Sequence, residues 1–267
     1  MKLCFSTLGC TEWSLEEILA VAMKYEIGAL EIRGIDGEMD NRKIEVLKDE
    51  NTNQTTALWA QHHVTPWVLG TSCAFHTLEK YQAAMNEGKA AIDIAARLSI
   101  PYIRVFGNNL VGESEEERRE CMARVSQGIG ELCSYASNTN VSVLLEVHGD
   151  YNKIETLDPV VKPLANHPHF GIIWDIAHTS AYREEWPQFY QTFRSLIRHV
   201  HIKDRLIDRP VLTLPGEGEL PILPIVRTML NDGYSGCFSL EWEKKWHPEL
   251  PAFREALACF VSLMKQI

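Results

Sequence analysis

SVLLEVHG (142–149), FGIIWDIAH (170–178), RHVHIKD (198–204) and GCFSLEWE (236–243) decide how this chain is read. Each contains a short apolar run, rich in Val, Ile, Leu or Phe. At or near the C-terminal end of each run stands a side chain of the kind that binds metal ions: Glu146, Asp175, His201 and Glu241. Runs without polar alternation suit strands of a parallel sheet, which are buried on both faces. The four residues are spaced by 29, 26 and 40 positions (175 − 146, 201 − 175, 241 − 201), roughly one strand-plus-helix repeat each. In a barrel of parallel strands those C-terminal ends converge on one rim, where active sites are built. Residues 95 positions apart (241 − 146) then face one point.

Four further runs of the same kind precede these: KLCFSTL (2–8), ALEIR (29–33), WVLGTSCAF (67–75) and YIRVFG (102–107). The segments between runs have helical periodicity. Leu15, Ile18, Leu19, Ala22 and Met23 follow the i, i+3, i+4, i+7, i+8 pattern of one helix face. Ser14 with Glu17, and Ser114 with Glu117, are capping boxes. Met122, Val125, Ile129 and Leu132 extend a buried stripe behind the second box. Helices are also expected over 79–99, 184–196, 222–232 and 250–265, and around 54–61 in the polar stretch 36–66. Eight such repeats in 267 residues predict an α/β fold, a single (β/α)8 TIM barrel spanning 1–267. A doubly wound open sheet is the alternative, but no Gly-rich dinucleotide loop follows the first run and no phosphate-binding GxxxxGK[ST] occurs.

Composition narrows the classes. The net charge of −10 carries no basic footprint for nucleic acid and no polybasic membrane patch. Seven cysteines, none in a CxxC, read as free thiols of a reducing compartment. No run approaches a spanning helix, and MKLCFSTLGC lacks the apolar stretch of a secretory leader, so the expected location is cytoplasmic.

Three carboxylates and one imidazole form a hard, oxygen-rich ligand set for one divalent ion. Mn²⁺ or Mg²⁺ suits it best, and Zn²⁺ or Co²⁺ is compatible. The plain alternative is four unrelated polar groups at strand ends. Burying unpaired carboxylates is costly, and a cation removes that cost.

The pieces LLEVHGD, WDIAHT, HVHIKD, LPGEGELP and SLEWE resemble the xylose-isomerase-like barrel superfamily of sugar isomerases and epimerases, which also holds a metal-dependent apurinic endonuclease. The opening TLGCTEWSLEEILAVAMKYEIGALEIRG resembles its first βαβ unit. The resemblance implies one divalent metal on Glu146, Asp175, His201 and Glu241. It implies a cation that acidifies a C–H between a carbonyl and a hydroxyl of the substrate and stabilises the enediolate. Glu146 and Glu241 are then the acid and base. It also places His178 beside the metal and an Arg shortly after His201 on a substrate hydroxyl. The spacing leaves Arg205 and Arg209 open for that role, with Arg205 the candidate taken here.

Arg33 and Arg104 end two other runs and reach either the rim or a buried ion pair with Glu31 or another wall residue. His148 and His199 lie two residues from a proposed ligand, with rim or structural roles. Trp13, Phe106, Trp174 and Trp242 are candidates to wall a sugar pocket, with core packing as the alternative. Gly216 and Gly218 read as a tight turn before the last helix. His62, His63, His167 and His169 read as solvated.

The expected activity is a metal-dependent sugar isomerase or epimerase on a small ketose or ketose phosphate. An inosose-type dehydratase is the alternative. A phosphodiester-cleaving enzyme and a non-catalytic sugar-binding protein rank below. A multi-metal nuclease cluster needs more ligands than His76 and the His-free segment 204–218 provide. The partner is a small sugar or polyol, with no nucleic acid and no membrane. Barrels of this kind commonly pair, so a homodimer is compatible.

Overall fold

The structure, a computed structural model, describes residues 1–179, 186–209 and 211–267. In chain order its first repeats are β1 (Lys2–Ser6), α1 (Leu15–Lys24), β2 (Ala29–Ile32), α2 (Thr52–Gln61), β3 (Thr65–Ala74), α3 (Tyr81–Arg97), β4 (Tyr102–Phe106) and α4 (Glu115–Tyr135). There follow β5 (Ser142–Glu146), α5 (Ile154–Val161), β6 (Phe170–Asp175), α6 (Ile176–Thr179), α7 (Trp186–Phe193) and β7 (Ile197–Ile202). The chain ends with β8 (Asp204–Arg205), β9 (Leu212–Thr213), α8 (Ile222–Asn231), β10 (Cys237–Leu240) and α9 (Phe253–Met264). Eight strands form a closed barrel in the order β1-β10-β7-β6-β5-β4-β3-β2, the (β/α)8 architecture expected from the sequence. β8 and β9 form a separate antiparallel pair. No helix among the described residues is long and apolar enough to cross a membrane.

The chain divides into two compact units. The first comprises Met1–Trp67, Asp175–Trp186 and His199–Ile267. Its α1 opens with the expected capping box of Ser14 and Glu17, a device worth about 1 kcal/mol. Leu15, Ile18, Leu19 and Ala22 are buried, but Met23 is exposed. Met23 lies at the edge of the stripe in the last turn, so the predicted face is narrower than the periodicity suggested. Inside the strands, Cys4, Ala29 and Cys237 pack together with Trp67 against them.

The second unit comprises Val68–Trp174 and Pro187–Arg198. Here Ser114 and Glu117 cap α4 as predicted, and Val125, Ile129 and Leu132 are buried while Met122 is half-buried. Trp174 is fully buried and stacks on Phe189 and Tyr190 of α7. The expected helix over 184–196 is α7, and its first two predicted residues lie outside the described ones.

All seven cysteines are unpaired thiols. Burial pushes Cys133 and Cys237 up to about 12 and raises Cys4, Cys10 and Cys73 as well. Only Cys259 is better than fully buried in its access to solvent. A thiol reagent at pH 8 is therefore expected to modify Cys259 in the folded protein and all seven after denaturation. Rapid native labelling of several cysteines would contradict this packing.

Candidate metal centre

Three of the four predicted ligands meet in the first unit. Asp175 is the last residue of β6 and is fully buried. Its Oδ1 accepts hydrogen bonds from the backbone N–H groups of Ala177 (2.8 Å) and His178 (3.0 Å), which starts α6. That leaves Oδ2 beside the Lys203 ammonium, at 2.7 Å. Burial pushes this carboxyl up, and the charges of Lys203, His178 and His201 together more than reverse it, so it is held below the usual carboxylate range.

His201 is fully buried near the end of β7. Its Nε2 lies 2.8 Å from Glu31 Oε2, and its Nδ1 lies 3.3 Å from Glu241 Oε2 and 3.8 Å from Asp175 Oδ2. With Glu31 accepting from Nε2–H, a neutral ring directs its Nδ1 lone pair at the two carboxylates. This is how an outer carboxylate orients a metal-binding imidazole. Glu31 Oε2 also lies 3.1 Å from His199 Nε2. Burial alone pushes Glu31 up, but the two imidazoles hold it well below its ordinary range. Burial pushes His199 down, toward the neutral ring that donates to Glu31.

Glu241 follows β10 directly and is 3% exposed. Its Oε2 lies 2.6 Å from Lys203 Nζ, which also lies 2.6 Å from Glu243 Oε1. Two buried carboxylates and an imidazole nitrogen directed at them are a donor set that fits a hard divalent cation.

The fourth predicted ligand has its surroundings in the second unit. Glu146 ends β5 and is 1% exposed. Its Oε2 lies 3.0 Å from Arg104 Nη1, and Arg104 Nη2 donates to the Thr71 carbonyl at 3.2 Å. The guanidinium also covers the Phe106 ring at 4.4 Å from its centroid, and Phe106 meets His148 edge-on at 5.1 Å. Arg104 thus takes the ion-pair alternative, with Glu146 as its partner. Arg33 donates to the Met39 carbonyl.

The remaining candidates are placed as follows. His178 is half-buried, its Nε2 lies 4.0 Å from Asp175 Oδ2, and burial pushes its ring down. With Lys203, Arg205, Val211, His247 and Glu249 it lines a cavity of about 400 Å³. Trp174 packs against α7, and Trp242 is buried with its Nε1–H on the Pro251 carbonyl. Trp13 stacks edge-on against Phe253 under the Arg254 guanidinium. The Gly216–Gly218 turn wraps the Asp204 carboxylate and precedes α8, with α9 still to follow, so it is not before the last helix.

Glu31 and Lys203 are the residues that sequence reasoning did not assign to the site. Glu31 stood only as a partner for Arg33. Its signal was an acid flanked by Leu30 and Ile32 within a strand run. A family model described as xylose isomerase-like TIM barrel matches residues 20–263. The chain belongs to this family. The motifs of 142–243 had pointed to it.

A curated relative, fructoselysine 3-epimerase of Escherichia coli O157:H7, is 28% identical over 150 residues, covering 54% of this chain and 54% of the relative. The match thus spans about half the relative's length. Among solved structures, the IOLI protein with a binding zinc atom aligns with TM-score 0.79 and 22% identity, over 99% of this chain and 96% of that one. The probable 3-DHS dehydratase AsbF from Bacillus anthracis aligns with TM-score 0.78 and 17% identity, over 99% and 98%. At these identities the structural likeness shows the shared fold alone.

Proposed function

We propose that this chain is a metal-dependent sugar epimerase or isomerase that moves a proton on the carbon beside a ketose carbonyl. The observation that carries this reading is the His201 ring, whose Nε2 is taken by Glu31 and whose Nδ1 is turned toward Asp175 and Glu241. In this reading Asp175, His201 and Glu241, with Glu146, hold one divalent cation, Mn²⁺ or Mg²⁺ by donor hardness. Support for Glu146 is its place at the end of β5, with β10, β7, β6 and β5 consecutive in strand order.

A bound cation supplies Lewis-acid polarisation of two neighbouring substrate oxygens. The chain supplies proton transfer. One of Glu146 and Glu241 takes the proton from carbon, and the other returns one, to the opposite face for an epimerisation. Arg104 fixes the Glu146 carboxylate through its 3.0 Å pair, and Lys203 contacts the Glu241 carboxylate. His178 and Arg205, on the cavity wall, are proposed to bind substrate oxygens.

The test is conversion of a panel of ketoses, ketose phosphates and inososes by chelator-stripped protein, with and without added Mn²⁺, followed by chromatography. An isomer of one ketose is expected with Mn²⁺ only. Loss of water from an inosose would replace this reading with a lyase. No conversion across the panel by protein with Mn²⁺ bound would count against it.

A further inference from the structure

Lys203 is a cation built into this site. It stands two residues after His201 and is 1% exposed, which is rare for a lysine. Its ammonium lies 2.7 Å from Asp175 Oδ2, 2.6 Å from Glu241 Oε2 and 2.6 Å from Glu243 Oε1. The first two oxygens are the ones turned toward His201 Nδ1, so the lysine contacts the same atoms the divalent ion needs. The third belongs to a different kind of residue. Glu243 is more exposed, at 21%, lies two residues beyond Glu241, and has His247 Nε2 at 3.6 Å on its other oxygen. It lines the cavity together with Lys203.

We propose that Lys203 is a tethered cation that competes with the divalent ion for Asp175 and Glu241, and that Glu243 is the anion onto which its ammonium withdraws when the ion binds. This rests on the reading of Asp175, His201 and Glu241 as cation ligands. Like charges drawn to the same carboxylates repel, so each lowers the other's occupancy. Without the ion, the ammonium keeps the buried carboxylates compensated, which a site of this depth requires. The consequence is a metal site that stays folded when empty and binds its ion more weakly than the same ligands would alone.

Two substitutions move the competition in opposite directions. Lys203→Met removes the internal cation. Glu243→Gln removes its alternative partner and leaves the ammonium on Asp175 and Glu241. The experiment is calorimetric titration of MnCl₂ into chelator-stripped wild type and both variants, with thermal melts of the stripped and loaded forms. Lys203→Met is expected to bind Mn²⁺ on the order of tenfold more tightly, through relief of the repulsion between two neighbouring cations. Its stripped form should melt below stripped wild type, and Mn²⁺ should raise its melting temperature by more than it raises the wild type's. Glu243→Gln is expected to bind Mn²⁺ more weakly than wild type.

Equal or weaker Mn²⁺ binding by Lys203→Met, with one ion bound per wild-type chain, overturns the competition and leaves the proposed function standing. If Lys203→Met does not fold, Glu243→Gln decides alone, and unchanged or tighter binding there overturns it. A wild type that binds no Mn²⁺ removes both the competition and the functional reading beneath it.

Discussion

Glu241→Gln and Glu146→Gln are each expected to lower turnover by about 10²–10⁴-fold, the range for loss of a positioned acid or base. Glutamine keeps the shape of each side chain but cannot carry a proton at neutral pH. Glu146→Gln also leaves Arg104, 2% exposed, facing a neutral amide in place of its carboxylate partner at 3.0 Å. Some loss of stability is expected there and is read separately by thermal melting. Glu241→Gln removes one contact of Lys203 but retains those to Asp175 and Glu243. The measurement is initial rate on the converted ketose, with bound Mn²⁺ quantified in each variant. A variant that holds its ion, melts within a few degrees of wild type and works within tenfold of it would take that glutamate out of the proton transfer.

Asp204→Ala is expected to be strongly destabilising although it lies outside the ligand set. Asp204 is 2% exposed, and its two oxygens accept from four backbone N–H groups. Oδ1 takes those of Arg205 (2.9 Å) and Leu220 (3.2 Å), and Oδ2 takes those of Gly216 (2.8 Å) and Gly218 (3.0 Å). The turn is built around this carboxylate. Gly216 has φ +92°, and a methyl group at Gly218 would collide with the Asp204 side chain. Alanine leaves four donors without their acceptor, each costing about 1–3 kcal/mol if it stays dry. Some of them will find water, so the expected loss is about 3 kcal/mol, or roughly 10 °C in melting temperature for a chain of this size. Asp204→Asn retains one acceptor oxygen and should fall between the two. A melting temperature for Asp204→Ala within 2 °C of wild type would show that the loop is held by something else.

The barrel was legible because its strands have an unambiguous pattern. Runs such as VLLE and GIIWD have no polar alternation, and Ser14 and Ser114 mark helix starts with a glutamate three residues on. α5 was not legible. Pro159 falls inside it, where the missing N–H normally ends a helix, and no side chain caps its start. At the site, Asp175, His201 and Glu241 were visible as polar residues closing apolar runs. Their supports were hidden for two different reasons. Glu31 acts on His201 from 170 residues away in sequence, so no local pattern links them. Lys203 was overlooked because a lysine at a strand end usually reaches solvent. Its burial becomes apparent only when the carboxylates of Asp175, Glu241 and Glu243 are seen around it. Trp174 shows the opposite limit, since its place beside Asp175 suggested a pocket wall while its ring stacks on α7.

The most direct test of the account is exchange of substrate hydrogen with solvent. Mn²⁺-loaded protein in D₂O, given the same panel of ketoses, ketose phosphates and inososes, is followed by proton NMR. Loss of one C–H signal beside the carbonyl of a ketose is predicted, abolished in Glu146→Gln and in Glu241→Gln. Conversion of that ketose to an isomer without any deuterium entering the carbon, under the same conditions, would contradict proton transfer by these two glutamates.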